Sequence, residues 1–365
     1  MNKIYLPGLN GIRAIAALIV VISHITQLFK AHLNFSFPVY LGGGLAVTLF
    51  FVLSGYLITY LLILEKEKFN TIDLKAFYLR RILRIWPLYY IMIIASICVM
   101  FFLYQQNLLS KNQNNLNAVV LFVFFAGNIA ESIYQLAFTP IGVLWSVAVE
   151  EQFYLFWPLL LKFCKPGINV FFTFLLAFSI LKIIIRVFLS NTFLSSLISL
   201  TRLDCMAIGA LGACFVLDAK LFNKYVRRYV FSKQVQVLSW AIAIIGFATL
   251  KMPLSIFSDD FYALFFVIII INISQNKNTL INLETKILNF LGRISYGIYM
   301  YHVLVIFVFQ KIVYFPADNI FYYFSNLSII LILTIIVAYI SNKYIENYFL
   351  RKKMVLARIK SSNGE

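Results

Sequence analysis

Arg13 and His24 stand eleven residues apart in an apolar run, Ile12 to Leu28, long enough for a helix. At helical geometry that spacing leaves about 20° of rotation and roughly 16 Å of rise between them, so both can line one internal passage. A neutral imidazole in such a passage can take a proton from a hydroxyl, because its charge changes near working pH. The plainer role for His24 is a hydrogen bond to a neighbouring helix, which needs no chemistry.

Four further clusters interrupt the apolar background. In the stretch Phe77 to Tyr90, Arg81 and Arg84 are three apart and share a helix face among aromatics, a guanidinium pair suited to phosphate groups. The same stretch also reads as a positive anchor with interfacial aromatics. Glu150 and Glu151 follow Trp145 and Ser146 with no cation in the same stretch. Adjacent helix positions point about 100° apart, so the two carboxylates are expected to do different jobs. Glu150 falls at a depth comparable to His24, where it can fix the imidazole tautomer or bond a substrate hydroxyl. An ion pair with Arg186 or Arg202 is the competing explanation. Arg202 and Asp204 can simply pair with each other, and His302, near Ser295, Tyr296 and Tyr299, fits a structural hydrogen bond. Gly42 to Gly44 and Phe50 to Tyr56 allow close backbone approach, either between helices or to a ligand.

Other chemistries find no support. The chain has no Walker loop, no Gly-x-Ser-x-Gly elbow, no His-Glu-x-x-His and no dinucleotide fingerprint after a strand. Cys98, Cys164, Cys205 and Cys214 lack metal-ligand spacing, so no metal is expected. Catalysis must therefore run on histidine, carboxylate and arginine.

The elements that position these groups are membrane helices. Of 365 residues, 62% are hydrophobic and 12% charged, and mean hydropathy is +0.88. The expected fold is all-α: a polytopic transmembrane bundle of about ten spans. These are Ile12 to Leu28, Leu41 to Leu64, Trp86 to Tyr104, Gly142 to Leu161, Val170 to Leu189, Leu203 to Leu217, Val235 to Leu250, Phe261 to Ile273, Ile294 to Val313 and Phe321 to Ile340. The stretch Ala118 to Ala126 is too short to cross and is flanked by asparagines, so it reads as a re-entrant or interfacial piece on the outer side.

The net charge of +17 is first an orientation signal. With both termini in the cytoplasm, the basic loops Lys66 to Arg84 and Lys220 to Lys233 lie inside, and outer connections keep only scattered cations such as Lys30, Lys111 and Lys251. Nucleic acid is not an expected partner; membrane lipids are. One transmembrane domain, residues 1–345, is followed by a basic cytoplasmic tail, 346–365. No appended extracytoplasmic domain, internal repeat or cleavable signal peptide is expected.

In this order the clusters closely resemble the membrane acyltransferase-3 family. Gly-x-Arg-x-x-Ala at Arg13, with His24 after ten intervening residues, resembles its first-helix motif, and Phe50 to Gly55 resembles its Phe-Phe-x-x-Ser-Gly-Tyr stretch. Arg81 and Arg84 match Arg-x-x-Arg, and Trp145 to Tyr154 matches Trp-Ser-x-x-x-Glu-x-Gln-Phe-Tyr. Arg202 to Gly209 resembles Arg-Leu-Asp-x-x-x-x-Gly, and Ser295 to His302 the late Ser-Tyr-x-x-Tyr-x-x-His. The resemblance runs from Pro7 to about Glu346.

What the resemblance implies is transfer of an acyl group, commonly acetyl from cytoplasmic acetyl-CoA, to a hydroxyl of a surface polysaccharide or lipid-linked glycan such as O-antigen or capsule. The setting it implies is the bacterial inner membrane. Acetyl-CoA is then a co-substrate, with no permanently bound cofactor. His24 and Glu150 fall to catalysis, Arg13, Arg81 and Arg84 to the nucleotide and pantetheine of CoA, and Glu151, Ser146, Arg202, Asp204, Tyr296 and His302 to the acceptor. Two other classes stay open. A glycan or lipid transporter would also use embedded charges, although inverted repeats are missing, and a membrane scaffold would leave His24 dispensable.

Overall fold

A computed structural model of the chain describes residues 4–30, 41–105, 116–136, 139–164, 167–190, 192–248, 257–312 and 320–355. Among them there is no strand, and helices run in the order α1 (Leu9–Lys30), α2 (Gly43–Phe69), α3 (Leu74–Gln105), α4 (Leu116–Val123), α5 (Gly127–Tyr134), α6 (Trp145–Phe163), α7 (Ile168–Phe188) and α8 (Phe193–Leu200). After them come α9 (Leu203–Leu217), α10 (Ala219–Leu221) with a π-helix at Phe222–Val230, α11 (Lys233–Ala248), α12 (Ser258–Gln275), α13 (Lys286–Arg293), α14 (Ser295–Ile312), α15 (Ile320–Ser341), a π-turn at Asn342–Glu346 and α16 (Asn347–Val355). Lys111, Lys251 and the last ten residues of the expected tail lie outside the described residues.

Among the described residues seven helices are long and apolar enough to cross a membrane, and nine do so if two bent pairs each count as one span. The expected span Gly142 to Leu161 is not among the nine. The difference is α6, 19 residues long, whose first half carries Glu150, Glu151 and Gln152. The bends, 72° between Ala219–Val230 and Lys233–Ala248 and 66° between Lys286–Arg293 and Ser295–Lys311, were not legible from hydropathy.

The stretch read as non-spanning is a helical hairpin. Helices α4 and α5 have eight residues each, about 12 Å at 1.5 Å per residue, well short of a hydrocarbon core of about 30 Å. Phe125, at φ 54°, reverses the chain between them. Backbone groups freed there find partners, as an apolar medium requires: Tyr89 donates to the Phe122 carbonyl at 2.7 Å and Gln152 Nε2 to the Phe125 carbonyl at 2.9 Å.

Helix α2 crosses α9 at the centre of the bundle through two glycines. A Cβ on Gly55 would lie 1.9 Å from the Met206 carbonyl oxygen, and one on Gly209 would lie 2.0 Å from that of Val52. Small residues at such a crossing let backbones approach, so these glycines serve packing rather than a ligand. Gly55→Ala is expected to destabilise the fold by about 1–3 kcal/mol, because the obstacle is backbone and cannot swing aside. A thermal melt in detergent checks this; an unchanged midpoint contradicts it.

Candidate functional site

Helix α1 carries both Arg13 and His24 without a break, so the spacing read from the sequence is realised. Its start is anchored by Gly8, whose positive φ of 70° turns the chain into the helix and whose N–H donates to Glu284. Arg13 is buried, and its Nη1 donates to Asn10 Oδ1 at a long 3.4 Å.

Helix α3 brings Arg81 and Arg84 to the same place. The loop before it is held by buried Glu65, which accepts from the Asp73 N–H at 2.9 Å and pairs with Arg80 at 3.4 Å. Lys66 in turn donates to the carbonyls of Leu161, Lys162 and Cys164 at 2.7–3.0 Å, satisfying the end of α6. Arg80 thus has its own carboxylate, while Arg81 and Arg84 are left to the interior.

Arg13, Arg81 and Arg84 line one pocket, which also takes in Glu150, Tyr154 and Tyr296. Among the described residues no carboxylate stands within ion-pair distance of these three guanidiniums. Arg81 Nε is buried without a hydrogen-bond partner, and its guanidinium lies 5.3 Å from the centre of the Tyr154 ring. Three cations around one space, with a single carboxylate facing them, make a site for a polyanion.

The two adjacent carboxylates do part, as their helical positions require. Glu150 accepts from Ser54 at 3.2 Å and Tyr154 at 2.9 Å, and Glu151 accepts from the Trp86 indole at 2.9 Å. Glu150 does not hold His24, nor does it pair with Arg186 or Arg202. The expectation that it orients the imidazole is corrected, because its oxygens are taken by groups on α2 and α6.

Phe50, Ser146 and Tyr299 also line this pocket. Tyr299 and Ser146 share a hydroxyl contact of 2.6 Å, and the Phe50 and Tyr299 rings meet edge to face at 5.9 Å. Tyr299 also meets His302, their ring centres 5.6 Å apart. His302 is fully buried on α14, and its Nε2 lies 2.7 Å from His24 Nδ1. His302 Nδ1 is 2.5 Å from the Tyr299 carbonyl oxygen. His24 itself is only partly buried and does not line the arginine pocket.

Tyr296 and Ser146 line the pocket, the former also donating to the Ile85 carbonyl at 3.0 Å, one turn beyond Arg81 and just before Pro87, which lies within α3. Arg202 and Asp204 do not pair, which corrects the simplest reading. Arg202 is 3.2 Å from Asp259 and donates to the Gly44 carbonyl at 2.7 Å and to Thr48 at 2.8 Å, while lying 5.9 Å from the Trp145 ring centre. Asp204 is fully buried against Lys182, which also bonds Asp260 at 2.8 Å. Asp204 and Asp260 sit in first turns of their helices, where the dipole favours negative charge. Asp204, Cys205 and Asp260 lie close enough together to hold a metal ion, but the Lys182 ammonium already supplies the cation there.

Lys182, Asp259, Asp260 and Glu346 were missed in the sequence. Their signal was present: Lys182 sits alone within an apolar helix, and the paired aspartates open another. Glu346 is buried, and it fills the space over Gly297, where a Cβ would lie 3.2 Å from its oxygen.

Comparison with known proteins agrees with the clusters. The profile of a family described as an acyltransferase domain matches residues 6–343. O-acetyltransferase OatA of Staphylococcus aureus, in strains NCTC 8325 and COL, is 31% identical over 372 aligned positions, covering 96% of this chain and 58% of the relative. A further protein of strain COL, provisionally named an O-acetyltransferase, is 30% identical over 379 positions, covering 97% of this chain and 58% of the relative. The chain thus spans little more than half the length of these relatives. No solved structure matches it.

Proposed function

The chain belongs to the acyltransferase-3 family of membrane proteins, and on that footing we propose that it is an O-acyltransferase moving an acetyl group from acetyl-CoA to a hydroxyl of a surface polysaccharide or lipid-linked glycan. One observation carries this reading: three guanidiniums without a paired carboxylate line a pocket that Tyr299 also lines, and the Tyr299 ring lies against His302, which in turn meets His24. In it, Arg81, Arg84 and Arg13 hold the phosphates of CoA, and the pantetheine arm runs along α1 towards His24. The thioester reaches the imidazole past Phe50 and Tyr299. The acceptor hydroxyl arrives from the opposite face of the membrane, beside Arg202 and Trp145.

The chemistry balances without a metal. The acceptor oxygen forms a bond to the thioester carbonyl carbon as His24 takes its proton; the C–S bond then breaks, and the sulfur leaves with that proton as the CoA thiol. Glu150, facing the arginines, and the Ser146 and Tyr299 hydroxyls line the way in. Glu151 and Asp204, already bonded to Trp86 and Lys182, serve structure in this reading. The protein acts in the bacterial inner membrane, with the Arg81 and Arg84 end towards the cytoplasm.

A strain lacking the chain, compared with its parent by mass spectrometry and NMR of the surface glycan, tests the proposal. The expected result is an intact glycan missing one ester at one sugar position. Loss of the glycan itself, with esters unchanged on what remains, would mean transport and would overturn the reading.

A further inference from the structure

We infer that His302 is the positioning residue of the reaction: it fixes the tautomer of His24 so that Nε2 carries the free lone pair. This rests on the acyl-transfer reading for its consequence, but its premise is geometric. The Tyr299 carbonyl can only accept, so at 2.5 Å the His302 Nδ1 must hold its proton. In a neutral ring that leaves Nε2 bare. The His24 Nδ1, 2.7 Å away, must then donate to it, and the remaining His24 nitrogen, Nε2, is left as an acceptor.

The contact is a hydrogen bond rather than a face-to-face stack. The two rings are 4° from parallel with centres 5.0 Å apart, the separation that a 2.7 Å N···N contact gives when both nitrogens lie on the line joining the centres. The rings are therefore edge to edge and nearly coplanar, the arrangement in which each nitrogen lone pair or N–H points at the other. Among the described residues His24 Nε2 has no hydrogen-bond partner, so it is the one ring nitrogen of the pair open to a substrate.

His302 thus does the work that a carboxylate does in a serine-protease triad, with a difference: it orients the base without bringing a negative charge into the membrane. When Nε2 takes the acceptor proton, the pair carries one positive charge. Nδ1–H of His24 can pass its proton to His302 Nε2 without any heavy atom moving. Returning the proton to the CoA sulfur resets both rings. The chain of contacts from the Tyr299 carbonyl through His302 to His24 also ties the base to the arginine pocket, because Tyr299 is one of the residues that line it.

The test pairs His302→Leu with His302→Gln, purified into nanodiscs. A glutamine carbonyl can accept from His24 Nδ1–H where a leucine cannot. The expected result is a kcat lowered about 100-fold or more in His302→Leu with the KM for acetyl-CoA little changed, and recovery of most of that loss in His302→Gln. In histidine-labelled wild-type protein, nitrogen NMR is expected to show His24 protonated on Nδ1 and bare on Nε2 near neutral pH, and His302→Leu to lose that preference. Full turnover in His302→Leu, equal losses in both variants while both stay folded, or a wild-type His24 protonated on Nε2 alone overturns the inference. Wild-type protein that transfers no acetyl group would instead remove the acyl-transfer reading, and the NMR measurement would still decide the tautomer.

Discussion

His24→Ala is expected to slow acyl transfer about 10³-fold, close to 4 kcal/mol in the barrier, while acetyl-CoA binding stays nearly unchanged. The size follows from the loss of a positioned base. The split between rate and binding follows from the layout, because His24 is not among the residues that line the arginine pocket. Removing the imidazole leaves His302 Nε2 without its donor, a modest cost that thermal melting will detect. Steady-state rates and a titration with acetyl-CoA on the same preparation check both halves. Undiminished turnover would take His24 out of the chemistry and return it to a helix-to-helix hydrogen bond.

Arg81→Ala combined with Arg84→Ala is expected to weaken acetyl-CoA binding by about 100-fold or more. Hydrogen bonds to charged groups are worth roughly 1.5–3 kcal/mol each, and two guanidiniums facing phosphates give more than one apiece. The control is Lys68→Ala. Lys68 carries the same charge in the last turn of α2, but it is exposed and does not line this pocket, so its loss should leave the affinity unchanged. Equal affinity in the double variant and the wild type would mean that the arginines serve only as an orientation signal. The same titration at rising ionic strength should weaken wild-type binding gradually, since the site is dehydrated and poorly screened.

Local spacing carried much of this site. Arg13 and His24 share a helix because an uninterrupted apolar run has no other way to satisfy its backbone in lipid, and Arg81 and Arg84 converge because residues three apart share a face. The separation of Glu150 from Glu151 follows in the same way from their adjacent positions. What sequence could not give was partnership across the bundle. His24 meets His302, 278 residues away, and Arg202 meets Asp259 rather than nearby Asp204. Each choice depends on how helices lie against one another, which periodicity does not encode. The span pattern differs for a related reason: α6 is more polar than the other long helices because the site sits within it, and bends at Val230 to Lys233 and near Ile294 divide two other spans.

The central claim is that one protein carries an acetyl group from CoA on one side of the membrane, through the arginine pocket and past the His24 and His302 pair, to a hydroxyl on the other. It is tested most directly in vesicles holding the purified protein, with radiolabelled acetyl-CoA sealed inside and surface glycan stripped of its esters by mild alkali outside. The account requires label to accumulate as an ester on the external glycan with equal release of CoA inside, and both to stop with His24→Ala. CoA release without label on the glycan, or label that persists in the His24 variant, would contradict it.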